Sequence, residues 1–149
     1  MFKTLLTAML PILEIRGAIP VGIALGLDPW LAFAVGFVGN MLPIPILILL
    51  TRHVIEWLKK HNILVRFTDW LEDKGSKGAQ KVQRYSFWGL FILVAIPLPG
   101  TGAWTGALVA SLLDMRLKRA LPAIAMGVAV AGFIVLAVTY GVISAGSLL

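Results

Sequence analysis

MLPILEIRGAIPVG, residues 9–22, lies within the first apolar stretch of the chain yet carries Pro11, Glu14, Arg16, Gly17 and Pro20. A soluble core seldom buries such a cluster without partners, and an uninterrupted membrane helix avoids it. Its reading decides the fold, because a second interruption, IPLPGTGAWTG at 96–106, breaks another apolar stretch.

The surroundings point to a membrane. Of the 149 residues, 59% are hydrophobic and 13% charged, about half the charged share of a soluble domain. A chain this short has too much surface to cover with so few charges if it is soluble. There is no cysteine, hence no disulfide framework, thiolate zinc site or cysteine nucleophile. His53 and His61 lie in the polar middle segment without metal-ligand spacing around them, so neither a metal nor a cofactor is expected. The net charge of +6 is concentrated, with 8 of the 13 basic residues between Arg52 and Arg84. Positive charge between apolar blocks marks the cytoplasmic side and anionic lipid headgroups as its partner, not nucleic acid. The opening MFKTLLTAMLPIL resembles a signal peptide, but no Ala-x-Ala-type site follows, and the segment is expected to be retained.

Four apolar blocks stand out, at 2–27, 30–51, 86–113 and 120–145. Each has the roughly 20 residues that cross a bilayer, so four full crossings are one reading. Two features favour another. The blocks at 2–27 and 86–113 split at Pro11–Pro20 and Pro97–Gly102, which leaves arms of about ten residues that reach about half the bilayer. Proline ends an incoming helix and glycine permits a reversal. The loop DMRLKR, 114–119, has three basic residues and one acidic; it stays on the cytoplasmic side only if 86–113 dips in and returns. The expectation is an all-α integral membrane protein with two re-entrant helical hairpins and two full transmembrane helices.

GAIPVGIALGLD (17–28) and GAWTGALVASLLD (102–114) both begin at Gly-Ala and end at Leu-Asp, each ahead of a span with a small-residue cluster, 36–40 and 127–132. With opposite entry sides this is the pattern of an inverted repeat, as in many secondary transporters. Gly22-x-x-x-Gly26 and Gly102-x-x-x-Gly106 permit close helix packing, within the chain or between copies in a homo-oligomer. Between the halves, 52–85 reads as a cytoplasmic amphipathic segment, with Val54, Trp57 and Leu58 and then Ile63, Phe67, Trp70 and Leu71 at helical spacing.

No hydrolase, kinase, nucleotide or metal motif is visible, so an enzyme is not expected. Irregular backbone at membrane depth survives only where it is buried in protein or lines a water-filled cavity. Two tips entering from opposite faces meet near the midplane, where alternating-access transporters place their sites. The candidate substrate and proton site is therefore Glu14, Arg16, Gly17 and Pro20 from the first tip, and Pro97, Pro99, Gly100, Thr101, Gly102 and Trp104 from the second, with Asn40 from the first span. Glu14 and Arg16 either neutralise each other and pin the tip, or Glu14 exchanges a proton while Arg16 holds an anionic group. The half-helices that leave each tip direct positive ends to the same place, favouring an anion such as a phosphate. Asp28 and Asp114 read as turn residues.

ExRGAIP at 14–20, NMLPIPILILL at 40–50 and IPLPGTGAWTGALVAS at 96–111 together resemble the small multi-drug export protein family. That family is similar to the DedA (VTT-domain) superfamily, whose members have paired re-entrant hairpins and are implicated in moving lipids such as undecaprenyl phosphate, with proton coupling proposed. The resemblance implies that Glu14 is the acid of the first hairpin and Asp28 a second acid. It departs from DedA at the second hairpin, where the arginines of Arg-x-x-Pro-Gly-x-Arg are replaced by Ile96 and Gly102.

The expected function is that of a secondary transporter or flippase, with proton coupling, for a small amphipathic substrate, anionic and lipid-phosphate-like, in the cell (inner) membrane. The alternatives are a small multidrug exporter for cationic drugs and a non-transporting membrane assembly factor.

Overall fold

The computed structural model describes residues 1–61, 79–98 and 101–146, and seven helices make up the regular structure among them. They are α1 (Phe2–Met9), α2 (Glu14–Ala24), α3 (Pro29–Met41), α4 (Ile44–Lys60), α5 (Ala79–Ala95), α6 (Ala103–Leu112) and α7 (Leu117–Gly146). No strand occurs among the described residues.

Two helices have the length and composition to cross a membrane. One is α7, and the other is the run Pro29–Lys60 formed by α3 and α4 together. Between these two helices only a kink intervenes: Leu42 and Pro43 keep right-handed helical backbone, and the missing N–H of Pro43 interrupts the ladder. At its start, Asp28 caps α3 by accepting from the N–H groups of Trp30 (3.0 Å) and Leu31 (3.4 Å), and Pro29 fills the first turn. At its end, α4 runs on to Lys60, into the segment expected to lie apart as an amphipathic piece. His61 Nδ1 closes that end by donating to the Trp57 carbonyl at 3.0 Å. The remainder of the expected amphipathic segment, 62–78, lies outside the described residues.

The other helices are short. α1, α2 and α6 have 8, 11 and 10 residues, so α2 and α6 are each about 15 Å long. The first interruption is narrower than the prolines imply. It was expected to run from Pro11 to Pro20, but only 10–13 depart from helix, and α2 continues through Gly17 and Pro20. Loss of one ladder bond at Pro20 is tolerated because the helix is locked by neighbours on both sides. The second expected interruption, Pro97–Gly102, falls between the end of α5 at Ala95 and the start of α6 at Ala103.

Small residues set the packing. α1, α2 and α3 pack on one another, α5, α6 and α7 likewise, and α2·α7, α3·α7 and α4·α6 join the two groups. Ile15, 1% exposed, is wedged between α3 and α7: a Cβ on Gly36 would lie 3.4 Å from its Cγ1, and one on Gly132 would lie 2.8 Å from its Cδ1. Val94 plays the same part in the second group, facing Gly106 of α6 and Gly127 of α7. Of the glycine pairs singled out in the sequence, Gly22 packs on Ala32 and Thr4, whereas Gly26 is an open turn residue with φ +84. Large apolar side chains face outward on every helix except α6's inner surface, among them Phe2, Trp30, Ile46, Trp88 and Val138. Such a surface suits hydrocarbon rather than water.

Gly127→Ala tests this packing. Its new Cβ would lie 2.7 Å from Val94 Cβ and 3.0 Å from the Phe91 carbonyl oxygen, so α5 and α7 must separate, at a cost of about 1–3 kcal/mol. Gly141→Ala, with nothing within 4 Å of the new methyl, should leave thermal unfolding in detergent unchanged. Equal midpoints for the two variants would refute the packing.

Candidate functional site

A helix break leaves the incoming helix with carbonyls that have no donor and the outgoing helix with N–H groups that have no acceptor. In water the solvent pairs them; in apolar surroundings the protein must. At the second break proline sharpens the imbalance, because Pro97 and Pro99 supply carbonyl oxygens but no N–H.

Arg16 answers the excess of acceptors. It projects from the first full turn of α2, and its two terminal nitrogens reach across to the chain between α5 and α6. Nη1 donates to the carbonyl oxygens of Leu98 (2.6 Å) and Thr101, and Nη2 to those of Ile96 (3.0 Å) and Val94 (3.5 Å). Nη2 also donates to Thr101 Oγ1 at 3.3 Å. The Thr101 hydroxyl in turn lies 2.8 Å from the Ile96 carbonyl and 2.9 Å from that of Leu98, so its proton serves the same knot of oxygens. A planar fork of N–H groups suits this convergence better than an ammonium could.

Glu14 answers the opposite end. Its carboxylate accepts from the backbone N–H of Trp104 in the first turn of α6, at 3.3 Å from Oε1. It packs against Gly102, where a Cβ would collide with the carboxylate. Gly102 has extended backbone, so closeness to Glu14 is what its lack of a side chain serves. Glu14 itself has φ 47, a left-handed conformation that costs a non-glycine residue about 1 kcal/mol or more. That conformation starts α2 immediately after the break, with the carboxylate 4% exposed and turned to the other helix pair.

The sequence offered two readings of this pair: mutual neutralisation, or a proton site beside an anion holder. The structure gives each residue its own partner on the second break, the acid on a positive helix end and the base on a negative one. Between the breaks lies a cavity of about 370 Å³, lined by Pro11, Ile12, Glu14, Arg16, Pro97, Leu98, Thr101 and Thr105.

Of the expected site residues, Glu14, Arg16, Pro97 and Thr101 line this cavity, and Gly102 and Trp104 back it through Glu14. Gly17 packs on Leu13, the residue just ahead of its helix, and Pro20 lies a further turn along α2, away from the cavity. Pro99 and Gly100 lie outside the described residues. Asn40 is fully buried, and neither its Oδ1 nor its Nδ2 has a hydrogen-bond partner. Sequence reading missed Pro11, Ile12, Leu98 and Thr105 as lining, and the carbonyls that hold Arg16. Thr105 could have been found, because it follows Thr101 by four residues, one helical turn on. Among the described residues no group of three His, Asp or Glu side chains could hold a metal ion.

Arg16→Lys should break the knot, since one ammonium cannot span oxygens from Val94 to Thr101. Loss of charge-assisted hydrogen bonds of this kind costs roughly 1.5–3 kcal/mol each. A lower unfolding midpoint together with faster amide exchange over 94–106 is expected. Exchange unchanged in that segment would remove Arg16 from the role.

Residues 14–134 match the model of a family described as "Putative small multi-drug export protein". No curated protein and no solved structure matches the chain. The family match begins at Glu14, directly after the first break, and takes in Arg16 and the whole second break; the chain belongs to the small multi-drug export protein family.

Proposed function

We propose that this is a multi-pass protein of the cell (inner) membrane that acts as a secondary transporter or flippase for a small amphipathic substrate through the cavity between the two helix breaks. One observation carries the reading: two chain breaks, from different helix pairs, share a cavity that contains the only two ionisable side chains of their helices α1, α2 and α6 apart from Lys3. Transporters build midplane sites from interrupted helices in this way. On this reading the pairs α1–α2 and α5–α6 are re-entrant hairpins related as an inverted repeat. The lengths of α2 and α6, near half a bilayer, support this, as does the positive-inside placement of Arg116, Lys118 and Arg119.

Substrate polarity follows from what the cavity can release. With Glu14 engaged on α6 and Arg16 engaged on carbonyls, neither charge is available to cargo in this state. An anionic headgroup gains the end of α6 when Glu14 leaves as a neutral acid, and this makes a proton-coupled anionic, lipid-phosphate-like substrate the leading reading. The resemblance to DedA relatives supports it. The family description favours a second reading, export of cationic drugs that pair with Glu14 when it is ionised. Removing Arg16 cannot separate the two, because it also unties the second break.

Proteoliposomes containing only this protein, loaded with an anionic short-chain lipid or with a lipophilic cation, distinguish them under a pH gradient. Proton-driven movement of the anion, lost in Glu14→Gln, is expected; movement of the cation alone selects drug export. If neither moves, an assembly factor replaces the transporter. Because the chain has no cysteine, single cysteines at 28 and 116 report topology through an impermeant label. The proposal expects 28 to be labelled from outside and 116 from the cytoplasmic side; labelling of 116 from outside selects four full spans.

A further inference from the structure

Asn40 is fully buried, and both its amide Oδ1 and Nδ2 pair with nothing. Burying an amide without partners costs about 1–3 kcal/mol, so its presence calls for a partner in another state. The α2·α3 contact locates it. A Cβ on Gly22 would lie 2.9 Å from Ala32 Cβ, and one on Gly36 would lie 3.4 Å from Ala18 Cβ. These pairs, 22 with 32 and 18 with 36, define an antiparallel register with a four-residue step. Extended by one more step, that register points from Asn40 to the position of Glu14.

Resting on the transport reading above, we propose that the Glu14 carboxyl has two seats, α6's N-terminal N–H groups when ionised and the Asn40 amide when protonated, and that the cargo's anionic group takes the first seat as Glu14 vacates it. The chemistry is complementary at both seats. A carboxylate is a pure acceptor and suits backbone N–H donors at a positive helix end. A carboxylic acid has one donor and one acceptor, matching Asn40 Oδ1 and Nδ2 in a two-bond pair. One proton enters on Glu14 for each monoanion that binds, and the charge of the pocket is unchanged by the exchange. Trp104 Nε1 and Arg16 Nε are also buried without partners, so the vacated seat lies among spare donors that suit an oxyanion. Few other charges face Glu14. On its own helix there is Arg16; α3 and α6 carry no titratable side chain. α1 offers only Lys3, and α7 offers Lys118, Arg119 and Tyr140, all four exposed on the protein surface.

The test uses the purified full chain in detergent and dihexanoylphosphatidylglycerol, a phosphodiester whose single charge is constant across the neutral range. Calorimetric titration in two buffers of different ionisation enthalpy counts the protons taken up. One proton per bound monoanion is expected, with affinity rising about tenfold per pH unit lowered while Glu14 remains ionised in the free protein. Glu14→Gln, a mimic of the neutral acid, should bind without proton uptake and without pH dependence. Asn40→Leu removes the second seat and two unpaired buried atoms, so binding should weaken while the unfolding midpoint holds or rises. A purely structural Asn40 would give the opposite pattern.

Absence of binding at any pH, binding without proton uptake, a Glu14→Gln protein that cannot bind, or unaltered binding in Asn40→Leu would each overturn the two-seat exchange. The transport reading fails separately, only if wild-type proteoliposomes move neither this anion nor tetraphenylphosphonium.

Discussion

The fold depends on one constraint: a helix broken inside apolar surroundings must have its orphan backbone groups paired by protein. Break two, rich in proline, presents surplus carbonyls from α5 and open N–H groups at α6. A single turn of α2 supplies both remedies, Arg16 for the carbonyls and Glu14 for the N–H groups. The side chains act as tethered ions, a cation where a helix ends and an anion where the next begins. This arrangement matches the helix macrodipole at both ends.

Such reach is possible only because the helices approach closely. Ile15, between Glu14 and Arg16 in sequence, points the other way and is clasped by the glycines of α3 and α7. Ile15 leaves the axis about 100° from Arg16, and the left-handed backbone of Glu14, φ 47, turns its carboxylate to the same break that Arg16 reaches. Ile15 therefore anchors α2 to the two long helices while its flanking charged residues face the second break. Val94 anchors α5 in the same manner and offers its own carbonyl to Arg16. Packing and polar pairing thus meet in the same few residues, so a change at the glycines is felt at the cavity.

In the proposed transport cycle, the described state is one in which both charges are engaged. On that proposal a cargo ion replaces one of them, which ties movement of the break to binding. That coupling is the substance of an alternating-access cycle, in which ligand and protein compete for the same groups and each can shift the population of the other.

Much was legible in the residues. Low charge and high hydropathy identify a membrane chain; proline and glycine locate both breaks; Glu14 and Arg16 identify themselves as ionisable groups in apolar sequence. These follow from composition and local chemistry, which need no fold. What the sequence misjudged was the extent of the first break, and what it left open was pairing. Pro20 looks like a breaker because local propensity disfavours it, yet neighbours on α3 and α7 keep α2 helical through it. For Glu14 and Arg16 the residues left two readings open, mutual neutralisation or separate partners, because spacing along the chain does not show what either side chain reaches. Only the tertiary structure could decide that each meets a different end of a break more than 80 residues away, or that Asn40 is buried without a hydrogen-bond partner. Those facts depend on how whole helices are set against one another, and local sequence does not contain that information.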